Sequence, residues 1–276
     1  MKIDAHHHFW KYDPKEYGWI NENMKAIRRD FLVPELTAAL GSAGVDGAIS
    51  VQARQTLEET RWLLEIASRE KIIRGVVGWV DLASPNVDSQ LARFASNRKL
   101  RGVRHVLQEE PADQLMDDPK FNAGVARLRN YGLVYDVLIF ERHLKQALRF
   151  IDRHPGQIFV LDHVAKPRIR EHVLGDWVTG IREFARRPNT YCKVSGMVTE
   201  ADWRHWKPAD LKPYIATVME AFTPKRLMFG SDWPVALVAS DYKRWHDTVA
   251  AEVAMLSRQE QDRFWSGTAT EAYSLP

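Results

Sequence analysis

Residues 3–10 read IDAHHHFW. Three consecutive histidines stand between Ile3 and the pair Phe9-Trp10, so the segment is built to be packed rather than to trail like an affinity tag. Read as a strand, it sends successive side chains to opposite faces. Alternation then places Asp4, His6 and His8 on one face, and Ile3, Ala5, His7 and Phe9 on the other. Two imidazoles at i, i+2 can converge on one metal ion or one substrate oxygen. His7 falls outside that pair.

The same design, a short apolar run with polar residues at its end, recurs along the chain. After KIDAHHHF (2–9) come DGAISVQ (46–52), RGVVGWVDL (74–82), LRGVRHVL (100–107), LVYDVLI (133–139), IFVLDHV (158–164), TYCKVSG (190–196) and RLMFGSDWP (226–234). Between them lie segments of helical period. In LEETRWLLEIASRE (57–70), Leu57, Arg61, Leu64 and Ala67 mark successive turns, while Leu63 and Ile66 fill the apolar stripe. Strands and helices alternating in this way predict an α/β protein, a (β/α)8 TIM barrel. An open doubly wound sheet is the alternative. No Pro- or Ser-rich linker divides the chain, so residues 1–276 read as a single domain. Two stretches exceed ordinary loops, Lys11 to Asp30 and Thr199 to Lys207. In a barrel they follow strands one and seven and lie over the active-site face.

Composition narrows the function. The 276 residues are 45% hydrophobic, enough for one large core, and the net charge is only +3. No Lys/Arg run suggests a nucleic-acid stripe. No apolar stretch approaches the ~18 residues of a membrane span, and no signal core follows Met1. A single cysteine, Cys192, excludes an intramolecular disulfide and a multi-thiolate zinc site. The expectation is a cytoplasmic protein that binds a small molecule, with neither nucleic acid nor membrane as partner. A monomer and a homodimer both remain open.

In a barrel the catalytic groups project from the C-terminal ends of the strands. Those ends carry His6 and His8, then Gln52 and Arg54, Trp79 and Asp81, and Arg104 and His105. The later strands add Tyr135 and Asp136, Asp162 and His163, Lys193 and Ser195, and Asp232. Any one of these reads equally well as a buried polar group satisfied by a neighbour. Gathered on one rim, they read as a site.

The ordered set resembles a known family. A first-strand His-x-His, LDH on the sixth strand and GSDWP on the eighth are similar to the amidohydrolase superfamily. VGWVDL, LRGVRHVLQEE, VYDVLIFERHL, VLDHVAKP, CKVSGMVTEADW and RLMFGSDWPV look like its sugar-lactonase branch, and within it the L-fuconolactonases. The resemblance implies opening of a sugar-acid 1,4-lactone, L-fucono-1,4-lactone to L-fuconate. It makes His6 and His8 the paired first-strand ligands, His163 the sixth-strand histidine, and Asp232 the carboxylate that handles the proton of the attacking water. No Lys or Glu matches the bridging ligand of two-metal members, so the reading is one divalent ion held by His6, His8 and Asp232, or none. Zinc accepts such a donor set, and its requirement is left open.

Lactone opening adds water to an ester carbonyl and expels the ring alkoxide, so it needs a base and an oxyanion donor. Asp232 is the base, and His163, Arg104 or the ion serves the oxyanion. Arg54, Trp79, Arg104, His105, Tyr135 and Glu141 are candidates for holding the sugar, with Trp203 as a lid residue. Trp79 reads equally as core, and Glu141 as a solvated helix start. A metal-dependent decarboxylase of an unsaturated or aromatic acid is the alternative on the same rim.

Overall fold

The computed structural model describes residues 1–108 and 112–276. Glu109 and Glu110, which end the stretch LRGVRHVLQEE, lie outside the described residues. Eight strands form one sheet in chain order: β1 Ile3–His7, β2 Gly47–Val51, β3 Ile73–Gly78, β4 Leu100–Val106, β5 Val134–Leu138, β6 Phe159–Leu161, β7 Thr190–Val194 and β8 Leu227–Phe229. Every consecutive pair is parallel. The ring closes just beyond β8. There the His8 N–H donates to the Trp233 carbonyl at 2.7 Å, and the Asp232 N–H donates to the His6 carbonyl at 2.8 Å. The expected (β/α)8 barrel is therefore the fold, not the open sheet.

The strands are Val- and Ile-rich and buried on both faces, as helix-covered parallel strands must be. Burial is complete along β2, β5 and β7. Inside the barrel, Ile3, Ala5, Ile49, Val51, Val77, Val134, Val160, Tyr191 and Met228 form the lower layer. Ala269, Ala272, Tyr273 and Leu275 of the C-terminal segment close it from below. No helix among the described residues is long and apolar enough to cross a membrane.

The first strand departs from simple alternation, and the departure builds the site. Ile3 pairs with Gly47 and Asp4 with Ala48, but His7 pairs with Ser50, so β1 carries one extra residue between Asp4 and His7. Ile3 and Ala5 face the barrel interior. After the bulge the phase flips, and His6 and His8 face inward instead. Asp4 thus does not share their face. Its carboxylate accepts from the His6 N–H at 3.0 Å, the Ser231 N–H at 2.8 Å and the Tyr242 hydroxyl at 3.0 Å. The first of these bonds is a local turn that competes with the regular ladder and gives the bulge its shape. His7 turns outward to Ser50 Oγ at 2.8 Å and lies edge-on to Phe9. Separation of His7 from His6 and His8 holds, while the placement of Asp4 is corrected.

Asp4 ties the bulge of β1 to the turn after β8. Replacing it, Asp4→Ala, leaves buried donors unsatisfied and is expected to lower stability by about 2–3 kcal/mol. Urea unfolding measures the loss, and a change under about 0.5 kcal/mol would contradict this account of the bulge.

Candidate active site

At the C-terminal mouth of the barrel, three imidazoles surround one carboxylate. His6 Nε2 lies 3.2 Å from His8 Nε2, and Asp232 Oδ1 stands 3.8 Å from His6 Nε2 and 3.5 Å from His8 Nε2. His163 Nε2 approaches the same oxygen at 3.8 Å. His8 Nδ1 is 2.8 Å from the Val51 carbonyl, which only an N–H can satisfy, so in the neutral ring Nε2 carries the lone pair. All four residues are buried.

Burial sets the charge states. It holds His6 well below its ordinary pKa, and it brings His163 to about 4 despite the opposing pull of Asp232. Burial works against the Asp232 carboxylate too, but His163, His8 and Lys166 outweigh it and hold this carboxyl below its usual range. Near neutral pH the site therefore sets the Asp232 carboxylate against the uncharged rings of His6 and His163. That is a set of lone pairs fit for a cation or for an attacking water.

Strained backbone places two of these groups. His163, Val164, Ala165 and Lys166 all have positive φ, between 47° and 61°, and Asp232 sits at 56°. Left-handed conformation costs roughly 1–2 kcal/mol per non-glycine residue. Surrounding bonds hold the run in place. The Lys166 N–H donates to the His163 carbonyl at 2.7 Å, and Trp177 Nε1–H donates to the Val164 carbonyl at 2.8 Å. The His163 ring fits only because residue 196 is glycine. A Cβ there would lie 2.5 Å from His163 Nδ1, and Gly196 itself has φ 60°. Beside it, Ser195 Oγ meets His163 Nδ1 at 2.9 Å.

Beneath His6 lies a layer of fully buried charge. Asp162 takes Arg104 Nη1 at 3.0 Å on one oxygen and Lys193 Nζ at 2.9 Å on the other. Asp136 takes Lys193 as well, together with the Tyr273 hydroxyl at 2.8 Å. Asp162 is held well below the ordinary carboxylate range: burial opposes this, and Lys193, His6 and Arg104 overcome it. Sequence places Asp136, Asp162 and Lys193 among the polar strand ends, with Asp136 read as a sugar-hydroxyl acceptor or a partner of Arg104; it gives no signal for Tyr273, which lies outside the strands.

Above the floor opens a cavity of about 450 Å³, within the ~300–1,000 Å³ of small-molecule sites. Its wall includes Arg54, Arg104 and Trp203 of the expected residues, together with His8, His163 and Asp232. Arg54 is fixed by Glu59 at 2.8 Å and Glu16 at 2.7 Å. Both long loops reach this wall as expected, the first through Glu16, Trp19 and Met24, the second through Thr199, Glu200 and Trp203. Lys166, 3.8 Å from Glu200, is a further cation in the wall.

Four expected contacts do not reach the cavity. Tyr135 is fully buried among Phe121, Phe150 and Phe159, on the helix-facing side of β5. Because Asp136 points inward, its neighbour must point out. By the same rule Arg104 turns His105 outward, where it packs on Phe121 and meets Trp79 Nε1 at 3.2 Å. Trp79 shares that outer position. Glu141 lines an adjoining groove with Lys166 and Trp203, and pairs with Arg168 at 2.6 Å.

A barrel that gathers imidazoles and a carboxylate at this end has the donors to hold a metal ion or a water. The amidohydrolase family pattern matches residues 3–275, and the chain belongs to that family. It is 42% identical to an L-fucono-1,5-lactonase of Burkholderia multivorans, over 100% of this chain and 97% of the relative. It is 38% identical to an L-fucono-1,5-lactonase of Burkholderia ambifaria, over 89% and 85% of the two chains. A crystal structure of a Burkholderia multivorans amidohydrolase with bound zinc superposes with a TM-score of 0.96, at 41% identity and full coverage of both chains.

Gly196→Ala is expected to displace the His163 ring and to lower kcat/KM at least about tenfold, beyond its cost in stability. Gly132 also has positive φ but opens on empty space. Gly132→Ala should therefore lower Tm while leaving kcat/KM within about twofold, since its cost is backbone strain alone. Equal kinetic losses in the two variants would dissociate Gly196 from the site.

Proposed function

We propose that the chain hydrolyses the lactone of L-fuconic acid, with Asp232 as general base. The observation that carries this is the convergence of His6, His8 and His163 on Asp232 Oδ1 at the floor of the cavity. The end-to-end similarity to two L-fucono-1,5-lactonases supports the choice of sugar acid. Their names favour the six-membered 1,5-lactone over the five-membered 1,4-lactone expected from sequence.

The residues also fit a divalent ion. Donors about 2.0–2.1 Å from a tetrahedral zinc stand about 3.4 Å apart. The Nε2 and Oδ1 atoms of His6, His8 and Asp232 are already spaced at 3.2, 3.5 and 3.8 Å. Held there by His6, His8 and Asp232, an ion would supply Lewis-acid chemistry at the carbonyl and would lower the pKa of an adjacent water.

The protein groups do the remaining work. Asp232 accepts the proton of the attacking water and returns it to the ring oxygen as the alkoxide departs. With Ser195 Oγ–H donating to Nδ1, His163 presents Nε2–H toward the developing oxyanion; one such donor is worth about 3–4 kcal/mol of barrier. Arg104 contributes its charge from below, with Nη1 engaged by Asp162 and Nη2 by the Gln52 carbonyl. Trp19 and Trp203 offer faces to the sugar C–H surface, and Arg54, Lys166 and Glu200 offer polar partners to its hydroxyls.

The test is acid release from L-fucono-1,5-lactone and L-fucono-1,4-lactone, followed with a pH indicator. We expect rapid turnover, a loss of at least about a thousandfold in Asp232→Asn, and loss on chelation that zinc restores. Absence of turnover on either ring would refute the assignment of substrate. Carbon dioxide release from an aromatic or unsaturated acid would put the decarboxylase in its place.

A further inference from the structure

Behind His6, on the side away from the cavity, the barrel holds more charge than a packed core needs. Asp162 Oδ1 lies 3.3 Å from His6 Nδ1. Lys193 Nζ is 2.9 Å from the same carboxylate oxygen, and Arg104 Nη1 holds the other at 3.0 Å. Asp162 is also within reach of His163, in a second convergence with His6. Both its oxygens are taken by cations, however, so it is not placed to act as a donor to an ion itself.

We propose that Asp162 is the positioning residue of the site: clamped by Lys193 and Arg104, it accepts the Nδ1–H of His6 and thereby aims His6 Nε2 at the cavity as a lone pair. The proposal rests on the ion site described above. The geometry requires an outside orienting group because His6 lacks the anchor that His8 has. His8 Nδ1 is fixed by the backbone carbonyl of Val51, whereas among the described residues it is this charged layer that meets His6 Nδ1. Lys193 approaches Nδ1 too, at 3.2 Å. Were Lys193 to donate there, the His6 proton would sit on Nε2, facing the Arg104 Nη1 donor at 3.4 Å. With Asp162 as acceptor, Nε2 instead carries the lone pair, which lies beside those of His8 and Asp232 and makes only a long contact, 3.4 Å, with Arg104 Nη1. A cation resolves that convergence. Lys193, shared between Asp136 and Asp162, then serves to keep the Asp162 carboxylate in place.

The test compares two isosteric variants from one buried layer. Asp162 touches His6; Asp136 holds the same lysine but does not. Zinc affinity is measured by competition with a chromogenic chelator. Asp162→Asn is expected to bind zinc about 10–100-fold more weakly, the usual effect of losing an outer partner of a metal-bound histidine. Asp136→Asn is expected to stay within about threefold of wild type, whatever its loss in Tm. In zinc-loaded wild type, proton NMR of histidine-labelled protein should show a slowly exchanging downfield Nδ1–H assigned to His6 by its absence in His6→Gln. That signal needs no Asp162 variant and decides the matter if Asp162→Asn fails to fold. Equal zinc losses in the two Asn variants, unaltered affinity in Asp162→Asn, or no His6 Nδ1–H would each overturn the proposal alone. Failure of the wild type itself to bind zinc would overturn it together with the ion site.

Discussion

The Lys193 side chain lies where water does not reach, and its Nζ is shared between the carboxylates of Asp136 and Asp162. Arg104 completes the balance from β4, so two cations face two carboxylates across the centre of the barrel. Such a layer is a poor way to gain stability, since a hydrophobic filling of the same volume often does as well or better. Its value lies in direction. Each charge fixes the position of the next, and the last contact of the chain is His6. The barrel thus has three storeys: an apolar base closed by the C-terminal segment, a layer of paired charge, and the site. The Tyr273 hydroxyl on Asp136 joins the first to the second.

Rigidity imposed from below is matched by strain imposed from the side. Four consecutive non-glycine residues in the left-handed region, Val164 among them, persist only where the surroundings over-determine them. Here the run turns His163 and Lys166 toward the same cavity. The positive φ of Asp232 does the same for the opposite wall. Stability is given up at the two points that hold His163 and Asp232, and bonds such as the Asp4 clasp offset part of it.

Much of this was legible in the sequence because strand chemistry is local. Eight apolar runs with polar ends predicted the barrel; from those ends the resemblance to the amidohydrolases picked out His6, His8, His163 and Asp232, which the structure brings together. Legibility failed where phase was decided elsewhere. Arg104-His105 and Tyr135-Asp136 each offer two polar neighbours, and alternation admits only one of each pair to the interior. Which one depends on the partner strands, which no single run records. At β1 the alternation argument separated His7 correctly and misplaced Asp4, because the bulge sits between them. Tyr273 could not be foreseen beside Asp136, 137 residues away in the chain.

A division of labour follows. The chemical floor comes from strand ends, whose positions the barrel dictates, so the class of reaction is written in residues that a pattern can find. The walls come from irregular segments, Lys11 to Asp30 and the stretch through Thr199, Glu200 and Trp203, where spacing carries no geometric rule. Discrimination among related sugar lactones rests on a methyl group and the orientation of hydroxyls, and an apolar slot distinguishes a methyl by only ~1–3 kcal/mol. Polar partners that would be left unpaired by the wrong stereoisomer discriminate far more sharply. Arg54, held between Glu16 and Glu59, and Lys166, loosely paired with Glu200, are the charged groups of the wall placed to do so. Selectivity in this barrel should therefore reside in those loop-borne pairs, while the floor beneath them serves any lactone that fits.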